Sequence, residues 1–198
     1  MRKTLRTKPA DGTQHHPSAG STSRCIAQDG KLSHLSMKHE IQYKPIGIIH
    51  SPFKEIKGTP IQPAGAKGID GNVEVFPEYA QGLKDLEGFS HIILLYHFHL
   101  SGKPSMMVTP FMDSIPRGVF ATRSPRRPNP IGLSVVRLVE IEDNILHIQD
   151  IDIIDGTPLL DIKPYVPDFD IREVQRFGWL ENNIHKLRDA KDDGRFSK

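Results

Sequence analysis

Between Gly118 and Gly132 the chain reads Gly-Val-Phe-Ala-Thr-Arg-Ser-Pro-Arg-Arg-Pro-Asn-Pro-Ile-Gly, with three arginines interleaved among three prolines. Pro125, Pro128 and Pro130 fix their own φ and drive Ser124, Arg127 and Asn129 toward extended backbone, so this loop loses little entropy when it orders. A loop of this kind can hold side chains in place. Those it holds are Arg123, Arg126 and Arg127, with Arg117 just upstream: planar, permanently charged forks that match a carboxylate or a phosphate. The residue types and their spacing point to an anionic ligand. At least one of these arginines is also expected to pair with an acidic residue of the same domain.

The composition excludes several other classes of protein. The 198 residues are 37% hydrophobic and 25% charged, ordinary values for a soluble globular chain of one domain and a tail. The net charge of +2 divides unevenly. Residues 1–36 contain six Lys or Arg and two Asp or Glu and carry +4, which leaves 37–198 with 20 basic and 22 acidic side chains, or −2. Residues 1–36 are rich in Ser, Thr, Gly, Gln and His and cannot bury enough apolar surface to offset their ordering. They are read as a disordered basic tail, and Met37 could be the natural start. No apolar run approaches membrane-spanning length and no secretory signal is visible, so the chain is expected to be soluble and cytoplasmic with no membrane partner. Cys25, the one cysteine, leaves no internal disulfide and no thiolate zinc site.

The elements that must carry the loop are short. A strand entry is predicted over Ile41–Ile49. Residues 54–71, with three Lys, four Gly and two Pro, read as an extended loop leading to a strand at Asn72–Phe76. Pro77 to about Leu86 is predicted as a short helix burying Ala80, Leu83 and Leu86. His91–Leu100 reads as a central strand. Residues 118–123 and 131–141 read as two strands joined by the proline-rich loop. Over 145–154 the alternation changes phase, with Leu146 and Ile148 on even positions but Ile151 and Ile153 on odd ones. A bulge near Gln149 and Asp150 explains that change, and bulges re-aim side chains. Residues 158–167 read as extended and 171–187 as loosely helical. Many short strands with one or two short helices indicate a mainly-β, barrel-like domain over 37–198 rather than alternating βαβ units.

The run 118–134 closely resembles the signature of the TsaA-like, or TrmO, family. Two further stretches agree in order: Gly82-Leu-Lys-Asp-Leu-Glu-Gly-Phe-Ser-His91 and Asp152-Ile-Ile-Asp-Gly-Thr-Pro-Leu-Leu-Asp-Ile-Lys-Pro-Tyr-Val-Pro167. The resemblance, which covers about residues 41–167, implies a β-barrel methyltransferase that uses S-adenosylmethionine and is usually a homodimer. Its substrate would be a tRNA in which the exocyclic nitrogen of threonylcarbamoyl-adenosine, beside the anticodon, receives a methyl group. Carried over by position, the cofactor contacts would be Gln62, Pro63, Phe98, Arg123, Leu133 and Asp152. Ile61, His97, Asp150 and Ile151 flank them and would act through backbone or shape. The chain has no Gly-x-Gly-x-x-Gly turn between a strand and a helix, so the commoner dinucleotide-type cofactor site is not visible.

The tRNA anticodon loop is expected to meet Arg126, Arg127 and Lys163, because phosphate contacts supply most nonspecific RNA affinity. The catalytic base is not identified. Asp155, Asp161 and Tyr165 are candidates, each with a structural alternative: a turn for Asp155, a lysine partner for Asp161 and a half-buried barrel position for Tyr165. His91, His97 and His99 share one strand parity, but a zinc site needs at least three protein ligands and no carboxylate is near in sequence, so no metal is expected. Two rival readings stand beside this one: a methyltransferase of the same fold with another substrate, and a non-catalytic module that binds cofactor or RNA. The chain closes soon after the third motif, so dimerisation or residues 168–198 would have to complete the tRNA site.

Overall fold

The computed structural model describes residues 40–197; the expectation of a disordered tail over 1–36 falls outside them. Eight strands follow one another: β1 (Gly47–His50), β2 (Asp70–Val75), β3 (His91–His97), β4 (Met107–Val108), β5 (Arg117–Gly118), β6 (Ile131–Glu142), β7 (Ile145–Gln149) and β8 (Thr157–Pro164). Six of them close into an antiparallel barrel of order β1-β2-β7-β6-β3-β8, with β8 returning to pair with β1. Period-two alternation decides which side chains fill it. Ile92, Leu94 and Tyr96 of β3 meet Val136 and Leu138 of β6, Leu146 and Ile148 of β7, Val73 and Val75 of β2, Ile49 and Leu159 in one core. The mainly-β, barrel-like architecture is thus observed.

The change of phase after β7 is also real. β7 ends at Gln149, Asp150 takes a left-handed φ of 68°, and Ile151 and Ile153 then turn into the core in place of even-numbered residues. The Asp150 carboxylate accepts from the Gly68 N–H at 2.6 Å and holds that turn. A separate irregularity in the β6–β7 ladder lies between Leu138 and Glu140.

Several sequence expectations are corrected. β1 begins only at Gly47, because Ile41 and Tyr43 remain exposed and find no ladder. The strand expected over 118–123 is a two-residue β5 followed by a 3-10 turn at Val119–Ala121; β5 pairs with β4 and not with β6, so the expected hairpin across the proline loop does not form. The helix expected at 77–86 is a 3-10 turn over Pro77–Leu83, broken from the next by Asp85 at φ 67°, although Leu83 is buried as predicted. β3 stops at His97, three residues short of the expected strand end. Residues 171–187 give only 3-10 turns at Gly178–Leu180 and Ile184–Lys186, preceded by one α-helical turn at Pro167–Asp170. Their apolar residues mostly face solvent, so no packed face holds a longer helix together.

The C-terminal segment is tied back across the barrel end. Lys191 bridges to Pro60, the Asp192 N–H donates to Thr59 O at 2.9 Å, and the Gly102 N–H donates to Phe196 O at 2.9 Å. Phe196 is buried with Val108 and Val119 in a second, small cluster beside Phe111.

One close approach fixes the neighbouring strand geometry. Gly132 of β6 lies against the Tyr96 ring on β3, and a Cβ there would overlap the ring carbons. We expect Gly132→Ala to cost about 1–3 kcal/mol of stability by overpacking, measured as a lower denaturant midpoint with unchanged slope; a midpoint equal to that of the unmodified protein would contradict this close-packed geometry.

Candidate functional site

Over the barrel end where β3 finishes and β6 begins lies a cleft of about 330 Å³. Barrel strands, the 56–62 loop, the proline-stiffened loop and the C-terminal segment all contribute walls. Six of the ten residues carried over as cofactor contacts line it: Ile61, Gln62, Phe98, Arg123, Leu133 and Asp152. The other four lie beside it. Pro63 opens a 3-10 turn, His97 is exposed at the end of β3, Asp150 makes the left-handed turn, and Ile151 is fully buried in the core. Asp150 and Ile151 therefore act on the cleft by setting where the next residue, Asp152, emerges.

Asp152 ends a buried hydrogen-bond chain. The Ser134 hydroxyl donates to Asp152 Oδ1 at 2.6 Å, and Tyr96 Oη lies 3.1 Å from Ser134 Oγ. Since the single Ser134 proton is committed to the carboxylate, the Tyr96 hydroxyl must donate to Ser134, which orients the whole chain toward Asp152. Burial pushes the Asp152 carboxyl up to about 6, while the Ser134 hydrogen bond, its own backbone and the charge of Arg123 act in the opposite direction. Burial, and then the negative charge of Asp152, pushes the Tyr96 phenol well above the usual tyrosine range, so it stays a proton donor. A desolvated carboxylate facing a cleft is suited to a ligand cation or to hydroxyl donors.

Across the cleft, Arg123 Nη1 donates to Gln62 Oε1 at 2.7 Å, and Gln62 in turn donates to Ile61 O. Arg123 is exposed and meets a neutral partner, so its positive fork stays available to an anion. A carboxylate with a raised pKa and an arginine thus face one space lined by the rings of Phe98 and Tyr96, which meet edge to face at 5.3 Å. Burial, followed by the neighbouring His97, lowers His99 below the usual histidine range.

The remaining arginines of the loop have other work. Arg127 Nη1 donates to Thr122 O at 2.8 Å and to Val119 O at 3.3 Å, bracing the loop from within. Arg126 Nε donates to Lys103 O at 2.8 Å. Arg117 donates from Nε and Nη2 to the one oxygen Oδ2 of Asp113, the intradomain pair expected for at least one of these arginines, and it holds the Asp113 carboxyl below the usual range. Lys163 pairs with Asp161 at 2.7 Å, away from the cleft. Asp155 accepts from the Ser51 N–H and pairs with Lys54 at 2.7 Å, while Tyr165 lies edge-on to His91 at 6.4 Å. None of Asp155, Asp161 and Tyr165 reaches the cleft. Among the described residues, no three His, Cys, Asp or Glu side chains are grouped as a metal would require.

Sequence reading passed over Tyr96, Ser134 and the C-terminal Asp192 and Phe196. Ser134 shares the inward parity of Gly132 and Val136, a polar residue in a strand position otherwise reserved for the core, and that was the available signal. Asp192 and Phe196 carry no such signal, because only the fold brings them to the cleft.

The cost of Asp152 is testable. Its folded-state pKa lies above the unfolded value, so the folded protein binds the extra proton and stability falls as pH rises from about 4 through about 6. Asp152→Asn removes that loss. The variant should match the unmodified protein near pH 4 and exceed it at pH 7.5 by on the order of 2 kcal/mol, read as a higher Tm; a Tm difference independent of pH would refute the burial of this charge.

Comparison with known proteins agrees with this geometry. Residues 48–171 match the family model described as the tRNA-methyltransferase O N-terminal domain. A probable S-adenosyl-L-methionine-binding protein of Pyrococcus abyssi is 67% identical over 156 residues, covering 79% of this chain and 85% of that protein. The tRNA (adenine(37)-N6)-methyltransferase of Escherichia coli is 40% identical over 136 residues, covering 64% of this chain and 58% of the enzyme. A crystal structure of TrmO from Pseudomonas aeruginosa superposes with a TM-score of 0.60 at 41% identity, covering 72% of this chain and 62% of that one. The chain thus spans less than two thirds of these last two proteins, while the matched region contains the barrel strands β2 to β8 and the proline-stiffened loop. It belongs to the TrmO, or TsaA-like, family of S-adenosylmethionine-binding β-barrels.

Proposed function

We propose that this chain is an S-adenosylmethionine-dependent methyltransferase acting on tRNA at the adenine beside the anticodon. The observation that carries the reading is the pairing of Asp152 and Arg123 across one aromatic-lined cleft. The residues fit the cofactor. Asp152 has one oxygen engaged by Ser134 and can offer the other to the ligand's ammonium group or ribose hydroxyls. Arg123 suits its carboxylate, and Phe98 and Leu133 provide apolar surface for its adenine. When bound, the sulfonium supplies an electrophilic methyl group.

The contribution of the chain's own residues is alignment and the exclusion of water. The Tyr96–Ser134–Asp152 chain fixes one end of the cleft, and the Gln62–Arg123 hydrogen bond fixes the other. The C-terminal segment covers it through Phe196 and Asp192. In the finer form of the proposal the acceptor is the exocyclic nitrogen of threonylcarbamoyl-adenosine, reached in the anticodon loop. Arg126 could meet phosphate, since only its Nε is committed within the protein among the described residues. Arg127 braces the loop, and Lys163 on β8 would reach a phosphate only by leaving Asp161. The finer form also includes a homodimer, for which the exposed Val139 on β6, outside the cleft, is a candidate contact. Among the described residues no helix is long and apolar enough to cross a membrane.

Two outcomes are expected. Calorimetric titration should show S-adenosylmethionine binding weakened about tenfold or more in Arg123→Ala and in Asp152→Asn, as for a lost charged hydrogen bond, with folding retained. In the unmodified protein affinity should fall as pH drops below about 6, because protonation of Asp152 removes the charge that attracts the ligand cation. Unchanged affinity in both variants would reject the cleft assignment. The deciding experiment for the reaction is mass spectrometry of nucleosides from tRNA, with and without threonylcarbamoyl-adenosine, incubated with the protein and methyl-labelled cofactor. One labelled methyl group on that nucleoside is expected; cofactor binding without transfer would leave a binding module.

A further inference from the structure

A second cleft, of about 510 Å³, lies directly beside the first. The two share one wall, which includes Gln62, Thr122 and Arg123. The new cleft is also aromatic: Phe111, Phe120, Trp179 and Phe196 line it, together with Leu180 and Ile184. Two of these rings are held by specific contacts. Trp179 Nε1 donates to Ala121 O at 2.8 Å, which joins the C-terminal segment to the proline-stiffened loop, and Arg117 lies 6.0 Å from the Trp179 ring centroid. Phe120 is 75% exposed, yet the Arg127 guanidinium sits 5.8 Å from its ring while donating to the loop carbonyls. An exposed phenylalanine anchored from below is a ready surface for stacking.

The charge around this cleft selects the partner. Arg117 and Arg195 stand at its edge with Asp113 and Asp193 as counter-charges. Among the described residues Lys186 has only neutral partners, Met112 O and Asn183 Oδ1, while Arg123 stands on the shared wall and serves the donor cleft. Anchored aromatic rings beside the Lys186 ammonium suit an unpaired nucleotide of an RNA loop, since every base has a face to stack and every linkage a negative charge. A purely apolar partner would gain nothing from the cations.

Resting on the methyltransferase reading above, we propose that this second cleft is the acceptor-base subsite: it takes the adenine turned out of the RNA loop, stacked on Phe120 and Trp179. The base lies over the Gln62–Arg123 edge that the two clefts share, with its exocyclic nitrogen turned toward the donor cleft. Residues 178–187 of the C-terminal segment thereby serve as part of the substrate site.

The test uses the full chain and a synthetic anticodon stem-loop RNA, compared with the same RNA lacking only the base beside the anticodon. The unmodified protein should bind the intact loop about tenfold more tightly, in the range of one stacked base. Phe120→Ala and Trp179→Ala should reduce that preference to near unity, with S-adenosylmethionine affinity within about twofold of the unmodified protein, the scatter expected where no contact is lost. Trp179→Phe should keep most of it. Phe120, being exposed, can be truncated without unfolding the protein, which guards against misreading a collapsed Trp179 variant. An equal affinity of the unmodified protein for both RNAs, or a preference that survives both truncations, would overturn the subsite. If the unmodified protein fails to bind S-adenosylmethionine at all, the methyltransferase reading falls and the subsite with it; cofactor binding with an unaltered base preference in the variants removes the subsite alone.

Discussion

A barrel of six strands has no room for a ligand. Eight strands already give an interior that side chains just fill, and this barrel is narrower, so closing β8 onto β1 commits every inward position to packing. Any site must then be built over an open end from whatever the barrel positions there. Here the end of β3 and the start of β6 supply Tyr96 and Ser134, a polar pair bonded to each other within the barrel core. Loops, which pack on that rim, provide the rest. The constraint of closure explains why short irregular segments hold most of the chemistry.

Within that frame a single backbone angle does much to place the charge. Had the alternation of β7 continued, residue 152 would have kept the parity of Leu146 and Ile148 and pointed into an apolar interior, where an unpaired carboxylate is very costly. The left-handed turn at Asp150 sends Ile151 and Ile153 inward instead and brings Asp152 to Ser134 at the mouth of the barrel. The carboxylate remains desolvated enough to raise its pKa, a local loss of stability retained at a binding site. Arg123 faces it but does not neutralise it by direct contact, so both charges remain able to meet a ligand with charges of both signs.

The arginine-rich loop shows how composition alone misjudges a surface. Four arginines lie between residues 117 and 127, yet Arg127 spends its donors on the loop's own carbonyls and Arg117 on Asp113. Proline restrains the backbone locally, and Arg127 cross-links what proline leaves free. Of the four, Arg123 is the one that lines the cleft without a backbone or carboxylate partner. The overall net charge of +2 says nothing about this, because the signal lies in which guanidinium groups are left uncommitted.

The main barrel strands, their inward parity and the change of phase near Asp150 were legible in the chain, though not the β4–β5 pair or the true start of β1, because side chains alternate along a strand and a shift in that alternation must be absorbed by a bulge or turn. The proline loop was legible for the same reason, and so was the family, through three long motifs. The C-terminal segment was not. Its apolar spacing over 171–187 suggested a helix, but without a packed partner the helix has no reason to form, and side-chain hydrogen bonds from Trp179 to Ala121 O and from Lys186 to Met112 O tie the segment down instead. Which arginines remain available, the Tyr96–Ser134–Asp152 chain and the walls given by Trp179 and Phe196 all depend on residues tens of positions apart. The alternating strands and the charged, proline-stiffened loop follow from local residue patterns. Barrel closure and the choice of side chains that face the cleft come from the folded arrangement, because strand pairing, hydrogen bonds and desolvation depend on neighbours that distant segments supply.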